Sequence, residues 1–434
     1  MKLATLFLTV VAVGSSLLPA PCSGQSGSWK TLRTTFLVSY DMVFTSDDTG
    51  YVAGQHAVLR TTDGGTSFHP LPFPVDTSHT IFESMSFPTH QIGYVCGYID
   101  STNTGLKAVS VLMKTTDGGG TWIRLPLDSS FDLFKIDFPT PIVGYYMAYA
   151  SNAGASTPAR LAKTIDGGMT WKTIIFDDTF LVSRMSFRNE NEGFFGHEYK
   201  LMPTSVRLFY TGDGLATSEV RDGSLAPIGG VTSLIPTSDG AWLITTDYRY
   251  ARSIDNGRSW KLDTIPGEDF AGLLAASGRL VFEANQSLSV DTIHVSTDYG
   301  LTWPVKTGLS DKGFIELMSV PSKKTAYLTM QSDTFEHQKV IMKWTNTDNL
   351  TVESLRVSNG DLSVCYNANL VEFRYSAKAI GNSIQLYDMM GRTQPIELPT
   401  NSRGVTRLNA SRLKPGVYFA ALNGSRVKFM IGAR

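Results

Sequence analysis

The sequence predicts an all-β protein, a seven-bladed β-propeller followed by a small β-sandwich. Three observations carry this. An eight-residue box, Ser/Thr-x-Asp-x-Gly-x-Thr/Ser-aromatic, recurs along the first three quarters of the chain. Each copy follows two short runs rich in β-branched and aromatic residues, such as Gly50-Tyr51-Val52-Ala53-Gly54 and His56-Ala57-Val58-Leu59-Arg60. Near the N-terminus, Ser28-Trp29-Lys30-Thr31-Leu32 copies the strand that follows a box elsewhere, Thr170-Trp171-Lys172-Thr173-Ile174.

Composition agrees with many short strands. The 434 residues are 42% apolar and 18% charged, which excludes a disordered chain. Turn formers (39 Gly, 19 Pro) are combined with 17 Tyr and 23 Phe. A net charge of −1 gives no basic excess for nucleic acid or an anionic membrane surface. Of the three cysteines, Cys22 ends the N-terminal apolar stretch, and the two that remain, at 96 and 365, are too few and scattered for a disulfide framework or a Cys-rich metal site.

Residues 1–24 have the layout of a secretory signal: Lys2, an apolar core from Leu3 to Leu18, and the small-residue exit Ala20-Pro21-Cys22-Ser23-Gly24. Cleavage is expected between Gly24 and Gln25. A lipoprotein anchor would need Gly or Ala before Cys22, where Pro21 stands. No later stretch is apolar for long enough to make a transmembrane helix. The expected location is secreted or on the outer cell surface.

The propeller is assigned to residues 25–350. Good boxes run Thr61–Phe68, Thr115–Trp122, Thr164–Trp171, Ser253–Trp260 and Ser296–Trp303, with a decayed copy at Thr211–Ser218. Their aspartates, Asp63, Asp117, Asp166, Asp213, Asp255 and Asp298, are spaced by 54, 49, 47, 42 and 43 residues, the length of a four-stranded blade. The same step places a seventh box near 345, where Lys343-Trp344-Thr345-Asn346-Thr347 lacks the Gly and the aromatic. The ring is therefore expected to close by strand exchange. The segment from about 28 to 36 supplies the outer strand of the last blade, and about 313 to 345 supplies the other three. Seven blades fit this arithmetic; six or eight are the alternatives. In each box the carboxylate accepts hydrogen bonds from its own turn, the Gly takes φ > 0, and Trp122, Trp171, Trp260 or Trp303 packs between sheets, so these residues are structural.

These boxes resemble the Asp-box (bacterial neuraminidase) repeat superfamily. The fuller phrase, Gly-Tyr-Val-x-Gly followed by Thr-Thr-Asp-Gly-Gly-x-Thr-Trp, most resembles the photosystem II assembly-factor type of seven-bladed propeller. The resemblance spans about 28 to 350 and implies a fold. Function stays open, since sialidases, xyloglucan hydrolases, sortilin-type receptors and assembly factors share the box.

Residues 351–434 lose the rhythm and present a small all-β unit with strands at Leu370–Tyr375, Ser383–Tyr387, Val417–Leu422 and Arg426–Ile431. Leu386-Tyr387-Asp388-Met389-Met390-Gly391-Arg392, Leu413-Lys414-Pro415-Gly416-Val417-Tyr418 and Lys428-Phe429-Met430-Ile431 resemble the type A sorting domain of type IX secretion. The resemblance implies an immunoglobulin-like sandwich, with Gly391, Arg392, Gly416, Tyr418 and Lys428 at matched positions and the type IX secretion machinery as partner.

Signals for catalysis are missing. The Arg-Ile-Pro motif of sialidases does not occur; Phe187-Arg188-Asn189-Glu190 comes nearest. No spacing selects a carboxylate pair from Glu83, Asp132, Glu190, Glu192 and Glu268, and the seven histidines show no metal-binding spacing. No cofactor or metal is expected. Long polar segments at Asp100–Lys107, Ser151–Arg160 and His197–Ser205 would form a rim on the face opposite the boxes. Tyr98, Tyr149, Arg160, His197 and Tyr199 are the candidate binding residues there. The expected function is non-catalytic binding of a protein or glycan; the alternative is a secreted glycoside hydrolase.

Overall fold

The fold was analysed in a computed structural model. It describes residues 27–32, 38–99, 109–127, 131–150, 160–175, 180–199, 202–225, 231–246, 249–263, 272–284, 290–303, 305–333, 339–346, 355–359, 362–366, 370–375, 382–388, 392–396, 398–400, 404–409, 412–414, 416–423 and 425–431. The architecture is an all-β propeller followed by a second β unit. Helical structure among the described residues is limited to the 3-10 turns Thr77–His79 and Gly223–Leu225.

The boxes make the turns that the sequence requires of them. Thr115 donates its hydroxyl to Asp117 Oδ1 at 2.8 Å and accepts the Gly119 N–H at 2.8 Å. The Thr121 amide and hydroxyl donate to the two carboxylate oxygens of Asp117 at 2.9 and 2.7 Å. Asp63, Asp166, Asp255 and Asp298 repeat the pattern. The copy read as decayed is intact as a turn. Asp213 receives the amide and hydroxyl of Thr217 at 2.8 and 2.6 Å, and Leu215 takes a φ of 74° where the other boxes have Gly. What this copy lacks is the aromatic, replaced by Ser218. Donated hydrogen bonds hold the carboxyls of Asp63, Asp117, Asp166 and Asp255 down at about 2.

Five antiparallel four-stranded sheets follow one another within 39–70, 80–124, 131–175, 180–220 and 231–263. Seven such separate blades were expected; five are present. The remaining ring strands form one seven-stranded sheet, in the order Leu273–Ser277, Leu280–Ala284, Val290–Ser296, Val305–Ser319, Thr325–Ser332, Lys339–Asn346 and Gly27–Leu32. The cause is Val305–Ser319, which runs 15 residues as a single strand. Its first part pairs with Val290–Ser296 and its second with Thr325–Ser332, where a loop divides the other sheets. The strand exchange expected at the N-terminus is present: Gly27–Leu32 pairs antiparallel with Lys339–Asn346, with Trp29 opposite Trp344. Trp29 packs edge-on against Phe282 at 6.1 Å in the core of that sheet.

Neighbouring sheets are joined by one repeated contact. A Tyr at the start of a second strand stacks on the Phe that ends the first strand of the next blade: Tyr51 on Phe87 (4.1 Å), Tyr94 on Phe138 (3.5 Å) and Tyr145 on Phe187 (3.4 Å). Each hydroxyl crosses to a backbone carbonyl of the next blade, Gly118 at 2.8 Å, Pro141 at 2.8 Å and Glu190 at 2.6 Å. Tyr327 closes the ring in the same way, stacking on Phe44 at 3.5 Å and donating to the Asp47 carbonyl at 2.5 Å. The Gly that precedes the aromatic has a steric role. A Cβ on Gly50, Gly93, Gly144 or Gly193 would fall within 2.4 Å of the ring of Phe44, Phe87, Phe138 or Phe187.

The C-terminal unit has two antiparallel sheets. One contains Leu355–Asn359, Leu362–Tyr366, Leu370–Tyr375 and Val405–Asn409; the other contains Gln385–Asp388, Gly416–Leu422 and Ser425–Ile431. Val364, Phe373 and Leu408 of the first share a core with Leu386, Tyr418 and Ala420 of the second. Arg392 closes a turn on Asp388 (Nε to Oδ2, 2.7 Å), and the Tyr418 hydroxyl donates to the Lys414 carbonyl at 2.9 Å. Gly416 pairs with Ile431 and Lys428 with Phe419, whereas Gly391 and the expected boundary at 350/351 lie outside the described residues.

Two measurements test this scheme. Trp29→Ala should destabilise the protein by about 3–5 kcal/mol, because it empties the core of the closing sheet; a loss below about 0.5 kcal/mol in denaturant titration would contradict strand exchange as the closure. The box carboxyls lie below their unfolded values, so their stabilisation is complete above about pH 4 and is lost as pH falls toward about 2. Asp63→Asn, Asp117→Asn, Asp166→Asn and Asp255→Asn combined should flatten the melting temperature between those values.

Candidate functional site: the central channel

Several inner strands show an unusual apolar spacing. Phe82-Glu-Ser-Met85-Ser-Phe87, Leu133-Phe-Lys-Ile136-Asp-Phe138 and Val182-Ser-Arg-Met185-Ser-Phe187 place apolar residues three and then two apart, against the period of two of a regular strand. The register accounts for it. The pairing shifts by one residue between Ser39 and Asp41, Phe82 and Ser84, Leu133 and Lys135, Val182 and Arg184, Val231 and Ser233, and Ile315 and Leu317. Each shift is a β-bulge that leaves one extra residue unpaired and re-aims it. The extra residues are Tyr40, Glu83, Phe134, Ser183, Thr232 and Glu316.

Five of those six line a single cavity of about 390 Å³. Residues from Ser39–Phe44, Thr80–Ser86, Phe131–Asp137, Phe180–Phe187, Val231–Pro236, Leu273–Ser277 and Val305–Ser319 all reach it, so it lies on the axis of the ring. Its apolar wall includes Met42, Met185, Leu234, Leu273, Leu317 and Met318, and its polar wall includes Asp41, Glu83, Lys135, Arg184 and Glu316.

Most of these charges are already engaged. Asp41 accepts the amides of Met42 (2.9 Å) and Met85 (2.8 Å) and the Ser84 hydroxyl (3.1 Å), and stands 3.7 Å from the Lys135 ammonium. Glu316 pairs with Lys339 at 2.8 Å. Arg184 donates from Nε to the Thr232 carbonyl at 3.3 Å. Glu83 has no hydrogen-bond or ion-pair partner among the described residues, and burial raises its pKa. Among the described channel residues, Asp41 and Glu316 are paired with lysines and Glu83 is left uncommitted. Among the described residues no group of three or more His, Cys, Asp or Glu side chains could hold a metal ion.

The residues nominated from sequence stand elsewhere. Tyr98, Tyr149, His197 and Tyr199 belong to the second strands Gly93–Ile99, Gly144–Ala150 and Gly193–Tyr199, and Arg160 opens the third strand Arg160–Thr164. All five occupy strand ends away from the boxes; of the two whose side chains are described, Tyr98 and Arg160, neither lines the channel cavity. The expected third loop is corrected outright: Gly193–Tyr199 and Met202–Thr211 pair as a hairpin, leaving only 200 and 201 between them. Most of the other two segments, 100–108 and 151–159, lies outside the described residues. Sequence reasoning missed the bulged positions, although the broken apolar alternation was a signal for them.

A family model described as Photosynthesis system II assembly factor YCF48 matches residues 23–193. No curated protein sequence matches the chain. Among solved structures, "YCF48 bound to D1 peptide" is similar at 18% identity and a TM-score of 0.55, over 76% of this chain and 99% of that one. YCF48 from Cyanidioschyzon merolae gives 16% identity and a TM-score of 0.50, over 74% and 100% of the two chains. A GH74 xyloglucanase from Xanthomonas campestris gives 11% and 0.52, over 80% of this chain and 60% of that one. At these identities the likeness establishes the propeller fold.

One inner-strand residue departs from its counterparts in a way that titrates. Ser319 accepts the Phe44 amide at 2.9 Å and Ser86 the Phe138 amide at 2.9 Å, but Asp137 fills that place for the Phe187 amide at 2.7 Å. Burial pushes the Asp137 carboxyl up to about 6. A raised carboxyl favours folding at low pH and weakens it as pH climbs from about 4 through about 6. Asp137→Ser should therefore gain roughly 1–3 kcal/mol at pH 7.5 and little at pH 4. Equal effects at the two values in denaturant titration would refute the assignment.

Proposed function

We propose that this protein is a non-catalytic binding protein whose propeller holds a protein segment in the mouth of the central channel. The supporting observation is the bulged ring: one extra residue from each of six inner strands, five of them around a cavity with both apolar and charged walls. Concave, mostly apolar sites with a few placed polar groups are typical of ligand recognition. A structurally similar propeller, YCF48, has a bound D1 peptide, which makes a peptide the preferred ligand class over a glycan.

In this reading the ring functions as seven blades. The seven-stranded sheet serves as two of them, hinged at the middle of Val305–Ser319, since both halves of that sheet send an inner strand to the channel. The protein is exported through residues 1–24 to the outer surface or medium. Its C-terminal unit, an immunoglobulin-like sandwich, serves as the address for type IX secretion.

A peptide array probed with the full-length secreted protein tests the binding role, with cross-links on bound peptides mapped by mass spectrometry. Cross-links at Tyr40, Lys135 or Arg184 are expected. Binding only through the outer strands, or release of oligosaccharides from xyloglucan, would overturn it.

A further inference from the structure

Among the described residues Glu83 is the one channel carboxyl without a partner, and its surroundings suit a particular kind of ligand. The neighbouring carboxylates are neutralised within the protein: Asp41 faces Lys135 at 3.7 Å and Glu316 faces Lys339 at 2.8 Å. Glu83 sits at the bulge of Thr80–Ser86, where the register shift sends it into the cavity instead of into the ladder. The inner strands on either side place aromatics at the same bulge position, Tyr40 on Ser39–Phe44 and Phe134 on Phe131–Asp137. The Tyr40 hydroxyl accepts the Gln55 amide at 3.3 Å, which anchors its outer end. Two aromatic side chains lining the same cavity as an unpaired carboxylate suit a cation, because aromatic rings and the carboxylate both attract positive charge.

We infer that Glu83, Tyr40 and Phe134 form a subsite for a single basic side chain, the guanidinium or ammonium of an Arg or Lys carried by the bound protein segment. The inference rests on the channel-binding reading and adds the chemistry of its central residue. Lys135 does not occupy the subsite, since its ammonium is directed to Asp41. Specificity follows from desolvation. An acidic or neutral side chain entering here would leave Glu83 buried beside it without a counter-charge, whereas an Arg or Lys supplies one.

The test uses the full-length protein and three blocked pentapeptides, acetyl-Gly-Gly-X-Gly-Gly-amide with X as Arg, norleucine or Glu, followed by ligand-observed NMR at low salt and pH 7. The Arg peptide should bind at least tenfold more tightly than the other two. Glu83→Gln, which keeps shape and removes charge, should abolish that preference without lowering the melting temperature, and Tyr40→Leu should weaken Arg binding by about three- to fivefold. Arg binding should also weaken as the pH is lowered toward 4 in the wild type and not in Glu83→Gln. Equal binding of all three peptides, with cross-links in the channel, would overturn the cation subsite and leave the channel reading standing. Failure of the Arg peptide to bind, or Arg preference retained in Glu83→Gln, would also overturn it. Binding mapped outside the channel would overturn both readings.

Discussion

The stacked Tyr–Phe joint between successive blades is the constraint on which the other features depend. Sheets arranged around an axis need a contact of fixed shape, or the ring cannot close without strain. Here the Tyr ring lies flat on a Phe of the next blade while its hydroxyl reaches a backbone carbonyl beside that blade's box or its first turn. Burial raises the pKa of Tyr51, Tyr94, Tyr145 and Tyr327, so each remains a protonated donor. The closing joint, Tyr327 on Phe44, has the same geometry as the internal ones. Together with Trp29 in the exchanged strand, it joins the two ends of the ring, the N-terminal strand covering the edge that Lys339–Asn346 would otherwise leave.

That joint also explains the local sequence around it. The Gly before Tyr51, Tyr94 and Tyr145 leaves room for the Phe at the end of the strand beside it, and that Phe in turn receives the Tyr of the preceding blade. The box in the next turn fixes the carbonyls to which the hydroxyl donates. Three short motifs, far apart in the chain, therefore form one mechanical unit. Where the pattern departs, as at Phe194, which has no hydroxyl, the interface is filled by Trp242 and Trp260 packed around its ring.

A rigid ring allows the inner strands to carry bulges. Each bulge gives up regular pairing at one residue, a cost that the neighbouring ladder can bear because the blade behind it is held on both faces. The result is a circle of side chains independent of the core pattern, in which aromatic, acidic and hydroxyl groups vary freely. Asp41 shows the two demands meeting in one residue, since it bonds to backbone of the next blade and also holds Lys135 at the channel wall.

The sequence by itself determined the propeller, its turns, the strand exchange and the presence of a separate C-terminal β unit. These follow from local chemistry: an Asp that bonds its own turn, a Gly at positive φ and aromatics at fixed offsets leave the same marks wherever the chain folds. Reading the copy at Asp213 as decayed overweighted its missing aromatic, because the hydrogen bonds of that turn need only Thr211, Asp213 and Thr217. The candidate site was less legible. Tyr98, Tyr149, Arg160, His197 and Tyr199 were reached by loop length, whereas Tyr40, Glu83 and Phe134 meet only because strands about 40–50 residues apart converge on one axis. Which carboxylates are neutralised and which is left open depends on pairings such as Asp41 with Lys135 across 94 positions of sequence. Only the tertiary structure decides such pairings, because charge compensation acts through distances in space that no local pattern records.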